Sequence, residues 1–273
     1  MKLILKGFIS GLILYSIFRK IDIQPIVSTL KTVDLTALIL PFLLLFIIAG
    51  LMALKWHIFI RRFSPNTTLK NIFITYWASD FMNLLSLGSL GNETYKVLAF
   101  KNKTKAILAT LADKVLSLIW YCLLVIVFYI TNQVALSIIL FALAAHGLTK
   151  LFKIFPKIVR EVKESELLLH SMYSLLIIGS RFVANALVFR AVGVDFEPDQ
   201  LFIFIAVMIV AVSLPISYQG LGVREYLYLQ FAYITGQEPE KVLAVSLLLY
   251  VVGLLYKVSG LIPFSFSRVK LQY

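Results

Sequence analysis

The chain has one cysteine, Cys122, and it lies inside an apolar run. An intrachain disulfide is therefore impossible, and a disulfide-stapled scaffold is excluded. Histidine is nearly as scarce. His57, His146 and His170 are dispersed, with no H-E-x-x-H pattern and no Cys/His spacing, so no metal site is expected. No G-x-x-x-x-G-K-[ST] loop is present, so ATP hydrolysis is not encoded here. No G-x-S-x-G elbow marks a serine hydrolase. No cofactor is expected. The largest shortage is charge: only 15% of the 273 residues are Asp, Glu, Lys or Arg, against about 25% in soluble domains.

What fills the chain instead is apolar. Hydrophobic residues make up 60%, and the mean hydropathy is +0.91. Yet 26 Lys and Arg face 14 Asp and Glu, a net charge of +12. A greasy, basic chain reads as a membrane protein whose cations lie in cytoplasmic loops near anionic lipid. Nucleic acid is not expected as a partner. The charge is uneven. Residues 1–165 hold 19 of the Lys and Arg and 7 of the Asp and Glu, so the later residues are neutral overall.

A spanning helix needs about 20 mostly apolar residues. Candidate spans are 3–18 (short), 34–54, 106–130, 134–149, 166–190 and 242–263. The first follows Lys2 and Lys6 and has no small-x-small cleavage site after it, so it reads as an uncleaved anchor. No window alternates like a strand. No polar loop is long enough for a soluble domain, so residues 1–273 read as one transmembrane domain. The fold class expected is an all-α, multi-pass bundle of about six full spans plus two broken hairpins.

Loop charge sets the orientation. Residues 131–133 carry none and are placed outside. Lys96, Lys101, Lys103 and Lys105 before them are placed inside, as are Lys150, Lys153, Lys157, Arg160 and Lys163 after them. Residues 150–163 read as an amphipathic stretch on the inner leaflet. Asp195, Glu197 and Asp199 fall outside. Both termini are then cytoplasmic, in a cytoplasmic membrane. Lys55, Arg61, Arg62 and Lys70 also want the inside, so 71–100 must enter and leave from one face. Its middle, Ser86-Leu87-Gly88-Ser89-Leu90-Gly91, favours a broken, re-entrant helix. Residues 200–235 share this design, with breaks at Pro215, Gly220 and Gly222, but enter from the outer face. The sequences around Gly91 and Gly222 echo each other, as an inverted repeat would. Paired interrupted segments point to a transporter site near the midplane.

Five constellations carry candidate chemistry. Gly88, Gly91, Glu93 and Lys96 surround the first break; Glu93 and Lys96 share one helix face, suited to a phosphate and its counter-charge or to a surface ion pair. Gln219, Gly220, Gly222, Arg224 and Glu225 surround the second. There Arg224 suits a bidentate grip on phosphate, and Glu225 suits either the Arg or the helix dipole. Asp113 and Lys114 lie inside an apolar run, where Lys114 either faces the interior or snorkels. Arg181 and Asn185 share a helical face deep in 166–190. Asp80 and Lys257 are further intramembrane charges.

These motifs resemble the lysylphosphatidylglycerol synthase transmembrane-region family, also called the flippase-like domain family, over nearly the whole chain. Gly91, Glu93 and Lys96, with Asn92 between, match its glycine-acidic-basic motif. Asp113 and Lys114 match its acidic-basic pair. Pro215, Gly220, Gly222, Arg224 and Glu225 match its most specific motif. Gln219 departs from a common glycine, and the first turn lacks a common proline. The resemblance implies a membrane part that moves an aminoacylated phospholipid between leaflets, while a separate soluble domain makes that lipid. With the chain ending at Tyr273, no synthesis is expected from it alone. Shorter members imply polyprenol- or glycan-lipid pathways and a lipid-modifying or glycosyl transferase as partner.

The main expectation is a lipid transporter with a headgroup cavity between the hairpins. Arg224 and Lys96 would hold the phosphate, and Glu93, Asp113 and Glu225 would offset charge or bind an amino group. Passive or ion-coupled movement follows from the missing ATP motif. The competing expectation is a membrane-embedded transferase, or its subunit, acting on phosphatidylglycerol or a polyprenyl-phosphate lipid, with Asp113 or Glu93 as base. A purely structural subunit is the third.

Overall fold

The computed structural model describes residues 2–19, 21–85, 90–131, 134–151, 162–213 and 220–267. Among them there is no strand. The helices are α1 (Lys2–Phe18), α2 (Ile23–Thr32), α3 (Ile39–Ile60), α4 (Leu69–Leu85), α5 (Leu90–Leu98), α6 (Lys103–Thr131), α7 (Val134–Leu151), α8 (Glu164–Val192), α9 (Pro198–Ser213), α10 (Val223–Thr235), α11 (Pro239–Ser259) and α12 (Leu261–Ser267). A short 3-10 turn, Leu35–Leu38, leads into α3. The all-α membrane bundle expected from the sequence is what forms.

Four segments are long and apolar enough to cross a bilayer: Leu35–Ile60, Lys103–Thr131, Glu164–Val192 and Pro239–Ser265. At 1.5 Å per residue, the two 29-residue helices α6 and α8 run about 43 Å, beyond the ~30 Å hydrocarbon core. Shorter apolar stretches lie in α7 and α9. Helix α2 was not expected. Asp22 starts it by accepting the Gln24 amide at 2.9 Å, and Asp34 accepts the Thr36 amide at 2.9 Å to start the next turn. These carboxylates cap helix ends.

Both interrupted segments fold back. Asn92 on α5 bonds Asp80 on α4 at 2.8 Å, partners on either side of the break. In the second pair, Phe204 on α9 meets Tyr228 and Phe231 on α10, with ring centroids 4.9 and 4.6 Å apart. Gly220 and Gly222, at φ +80° and +84°, turn the chain there. A Cβ on Gly220 would sit 2.7 Å from Val212 Cγ1, and one on Gly222 would sit 3.0 Å from Ile13 of α1. Left-handed backbone and close contact both require glycine.

Two apolar cores result. One gathers Trp56, Phe59, Phe100, Leu116, Trp120 and Ile178. The other gathers Val188, Phe189, Leu201, Tyr228, Phe231 and Val242. Helix α8 runs through both, and Arg181 and Asn185 fall between its Ile178 and Val188. A polar seam therefore lies where the cores meet.

Helix α4 approaches the α11–α12 junction closely at Gly260. A Cβ there would lie 2.6 Å from the Trp77 carbonyl oxygen and 3.1 Å from Phe81 Cβ. Trp77 Nε1 also donates to Ser259 Oγ at 3.1 Å. Backbone cannot yield as a flexible side chain can, so Gly260→Ala is expected to destabilise the bundle by about 1–3 kcal/mol. Thermal unfolding in detergent measures this, and an unchanged midpoint would refute the close approach.

Candidate functional site

The first hairpin brings Glu93 and Lys96 together, as their spacing on α5 predicted. Glu93 Oε2 lies 3.1 Å from Lys96 Nζ, and Oε1 lies 3.0 Å from Lys114 Nζ. Lys96 is only 3% exposed. Its ammonium sits over the rings of Tyr76 at 4.5 Å and Trp56 at 5.5 Å, where ring quadrupoles favour a cation. Trp56 Nε1 donates to Thr110 Oγ1 at 3.2 Å, which fixes that ring. Groups from three helices, α3, α4 and α5, thus surround one ammonium.

Asp113 does not join its sequence neighbour. Consecutive helical residues point about 100° apart, so Lys114 reaches Glu93 while Asp113 turns toward α3 and α8. Its Oδ1 lies 3.0 Å from His170 Nε2 and 4.0 Å from Lys55 Nζ. Lys55 donates to Ser117 Oγ at 2.7 Å. Lys55 corrects the loop reading: α3 continues to Ile60, so this lysine is buried within the helix and is not a loop cation. Arg61 and Arg62 do lie past the helix end, where both bond Glu166 at the start of α8. That places the end of α3 and the start of α8 at one end of the bundle.

Asp80 joins the first hairpin to α11. Its Oδ1 accepts from Asn92 Nδ2 at 2.8 Å and its Oδ2 from Tyr256 O–H at 2.9 Å. The charges of Lys96 and Lys257 both act on it.

The second hairpin presents Arg224 and Glu225. Arg224 Nε donates to Glu225 Oε1 at 3.1 Å and to Ser246 Oγ at 3.2 Å, and its guanidinium lies 4.8 Å from the Tyr250 ring centroid. Glu225 Oε2 accepts the Gly222 amide at 2.7 Å. On α8, Asn185 is committed internally: Nδ2 donates to the Arg181 carbonyl at 2.8 Å, and Oδ1 accepts from Tyr228 O–H. Arg181 Nε is buried without a hydrogen-bond partner among the described residues. The charge of Lys257 interacts with those of Asp80, Arg224 and Arg181. Among the described residues, Arg181, Arg224 and Lys257 therefore share one region with two carboxylates, Asp80 and Glu225.

A model of the family described as "Lysylphosphatidylglycerol synthase TM region" matches residues 3–258. The chain belongs to this family. No curated protein and no solved structure matches it. Membership in the lysylphosphatidylglycerol synthase TM-region family makes it a membrane protein related to lipid modification or transport. Of the residues singled out from the sequence, Glu93, Lys96, Asp113, Lys114, Gly220, Gly222, Arg224 and Glu225 are placed as above, and Gly91, expected at a helix break, lies within the first turn of α5.

Gly88, Pro215 and Gln219 lie outside the described residues, as does most of the amphipathic stretch 150–163. Lys96 and Arg224 belong to separate groups, with Asp80 interacting with Lys96 and Lys257, and Lys257 in turn with Arg224. The sequence reading missed Lys55, His170, Ser246 and Tyr256 as site neighbours. Their partners lie 22 to 176 residues away, so no local pattern marks them. Only the continuation of α3's apolar run past Lys55 signalled that this lysine is buried.

Proposed function

We propose that the protein binds the phosphate-bearing headgroup of a membrane lipid in the polar seam and carries it between leaflets. The observation that carries this reading is the cation excess, among the described residues, of Arg181, Arg224 and Lys257 over Asp80 and Glu225, with Arg181 Nε buried and without a hydrogen-bond partner among them. An unmatched charge away from water is costly. A phosphate supplies both the missing charge and the acceptor oxygens, and a guanidinium binds it with two parallel hydrogen bonds. Glu225 orients Arg224, and Asn185 orients the Arg181 turn of α8. Lys96 on the other hairpin and Lys114 on α6 form a second cationic group about Glu93, where the headgroup passes as it crosses. The acyl or prenyl tails stay in lipid.

In this reading the two hairpins are re-entrant, and the end of the bundle bearing Arg61, Arg62, Lys70 and Lys103 faces the cytoplasm, as the positive-inside rule directs. The experiment is lipid movement in vesicles containing purified protein and headgroup-labelled phosphatidylglycerol or polyprenyl phosphate. Wild type is expected to move at least one class, and Arg224→Ala to slow it by about 10- to 100-fold, the loss of a charged hydrogen-bonded contact of about 1.5–3 kcal/mol. Equal rates in wild type and variant would end the proposal.

A further inference from the structure

Arg61 and Arg62 stand apart from the seam, just past the end of α3. The candidate span Leu35–Ile60 stops immediately before them, which puts them at the level of lipid headgroups. Both bond the carboxylate of Glu166 in the first turn of α8. Glu166 Oε2 also accepts the Lys163 amide at 3.1 Å, so the carboxylate is fixed against the helix start. One anchored carboxylate therefore holds two guanidiniums side by side.

That carboxylate does not use up its partners. Each guanidinium spends one terminal nitrogen, Nη2, on Glu166. Neither Nη1, nor Arg62 Nε, has a hydrogen-bond partner among the described residues. The Arg61 and Arg62 side chains are 42% and 25% exposed, so a ligand can reach them from outside the bundle. Lys163 and Glu164 of the same turn cancel in charge. Two guanidiniums against Glu166 then leave one positive charge over among the described residues.

The next five residues form a cleft. Phe63, Ser64, Pro65, Asn66 and Thr67 line about 250 Å³, room for a small polar group. The Phe63 ring is anchored on Phe100, with centroids 5.6 Å apart. Ser64 Oγ and Thr67 Oγ1 lie 2.6 Å apart. One of these hydroxyls donates to the other, which leaves one O–H to donate elsewhere. Asn66 is exposed and adds a side-chain amide. The lining offers hydrogen-bond donors and no carboxylate.

We propose that Arg61 and Arg62 form a second anion site, which holds a phosphate group with the cleft taking the polar remainder of its carrier. That carrier is either a lipid headgroup of the leaflet at this end or phosphate free in solution. Guanidiniums bind phosphate through paired, charge-assisted hydrogen bonds, and the single negative charge of a phosphodiester cancels the excess left by Glu166. Bound phosphate also relieves repulsion between the two guanidiniums, which draws the end of α3 toward the start of α8. The site is separate from Arg181, Arg224 and Lys257, and it stands whether or not the seam moves lipid.

The test uses full-length protein in mixed micelles of phosphatidylglycerol and phosphatidylcholine, with native mass spectrometry counting the phosphatidylglycerol retained. The seam is untouched in every variant, so it adds the same lipid to each. Wild type is expected to retain one phosphatidylglycerol more than Arg61→Gln/Arg62→Gln, an affinity loss of about 10- to 100-fold for charged hydrogen bonds. Asn66→Asp places a negative charge in the cleft without touching the Glu166 pairs. It is expected to weaken retention by about tenfold, and it decides the matter alone if the double variant does not fold. A calorimetric titration of inorganic phosphate into the protein in phosphatidylcholine alone separates the sources. Variant-sensitive lipid retention assigns the site to a headgroup. Phosphate binding that the variants abolish, with lipid retention unchanged, assigns it to free phosphate. Equal lipid retention in all three proteins, together with no variant-sensitive phosphate binding, overturns the site.

Discussion

Replacing Glu225 with Ala is expected to destabilise the folded bundle by about 3–5 kcal/mol, the cost of breaking a buried charge pair from one side. Glu225 is 2% exposed. Its two oxygens serve two groups at the second hairpin: the Gly222 amide at 2.7 Å and Arg224 Nε at 3.1 Å. Truncation leaves a guanidinium without its carboxylate and an amide without an acceptor, at a turn held in left-handed backbone. Water cannot replace the lost oxygens at a site so enclosed. Thermal unfolding of purified protein in detergent measures the loss, and a double-mutant cycle with Arg224→Leu isolates the pair. The doubly substituted protein should recover part of the loss, because the orphaned charge has gone. A Glu225→Ala protein that melts with wild type would show that the carboxylate is solvated.

Glu93→Ala is the second large effect, again about 3–5 kcal/mol. Its two lysines are unequal. The Lys114 side chain is 48% exposed and can turn to water, whereas that of Lys96 is 3% exposed and cannot. After truncation, Lys96 keeps the faces of Tyr76 and Trp56, worth about 2 kcal/mol at most when desolvated, and the more distant charges of Asp80 and Asp113. Adding Lys96→Met to Glu93→Ala should therefore raise stability, since methionine fills the same slot without a charge. A double variant less stable than Glu93→Ala would mean that Lys96 is stabilised mainly by the rings. The same pair of proteins separates stability from transport, because a lipid that needs Lys96 fails to move in the double variant even where folding is restored.

Much of this architecture was legible in the residues. Spans at 34–54, 106–130, 166–190 and 242–263 appear as long helices because about 20 consecutive apolar residues leave the backbone no better solution in lipid. The second break appears as a folded-back pair because Gly220 and Gly222 tolerate the turn, whereas Gly91, expected at the first break, lies inside α5 and residues 86–89 lie outside the described residues. The Glu93–Lys96 pair follows from spacing on one helix face. Helix α2 was illegible because its ten residues are too few and too mixed for a span, and its start depends on the Asp22 cap.

Charge pairing is where sequence reading stopped. Lys55 looked like one more basic loop residue beside Arg61 and Arg62, and only packing against α6 made it the buried counter-charge of Asp113. Asp113 and Lys114, adjacent in sequence, serve different groups because a helix turns them apart. Composition and periodicity determined that this is an all-α membrane protein with two interrupted hairpins, since those properties are local and set by the solvent the chain must live in. Which cation meets which carboxylate, and that Arg181 Nε finds no hydrogen-bond partner among the described residues, was decided by the tertiary structure alone. Coulomb energy depends on distance in space, and Asp80 and Tyr256 reach 2.9 Å across 176 residues of chain.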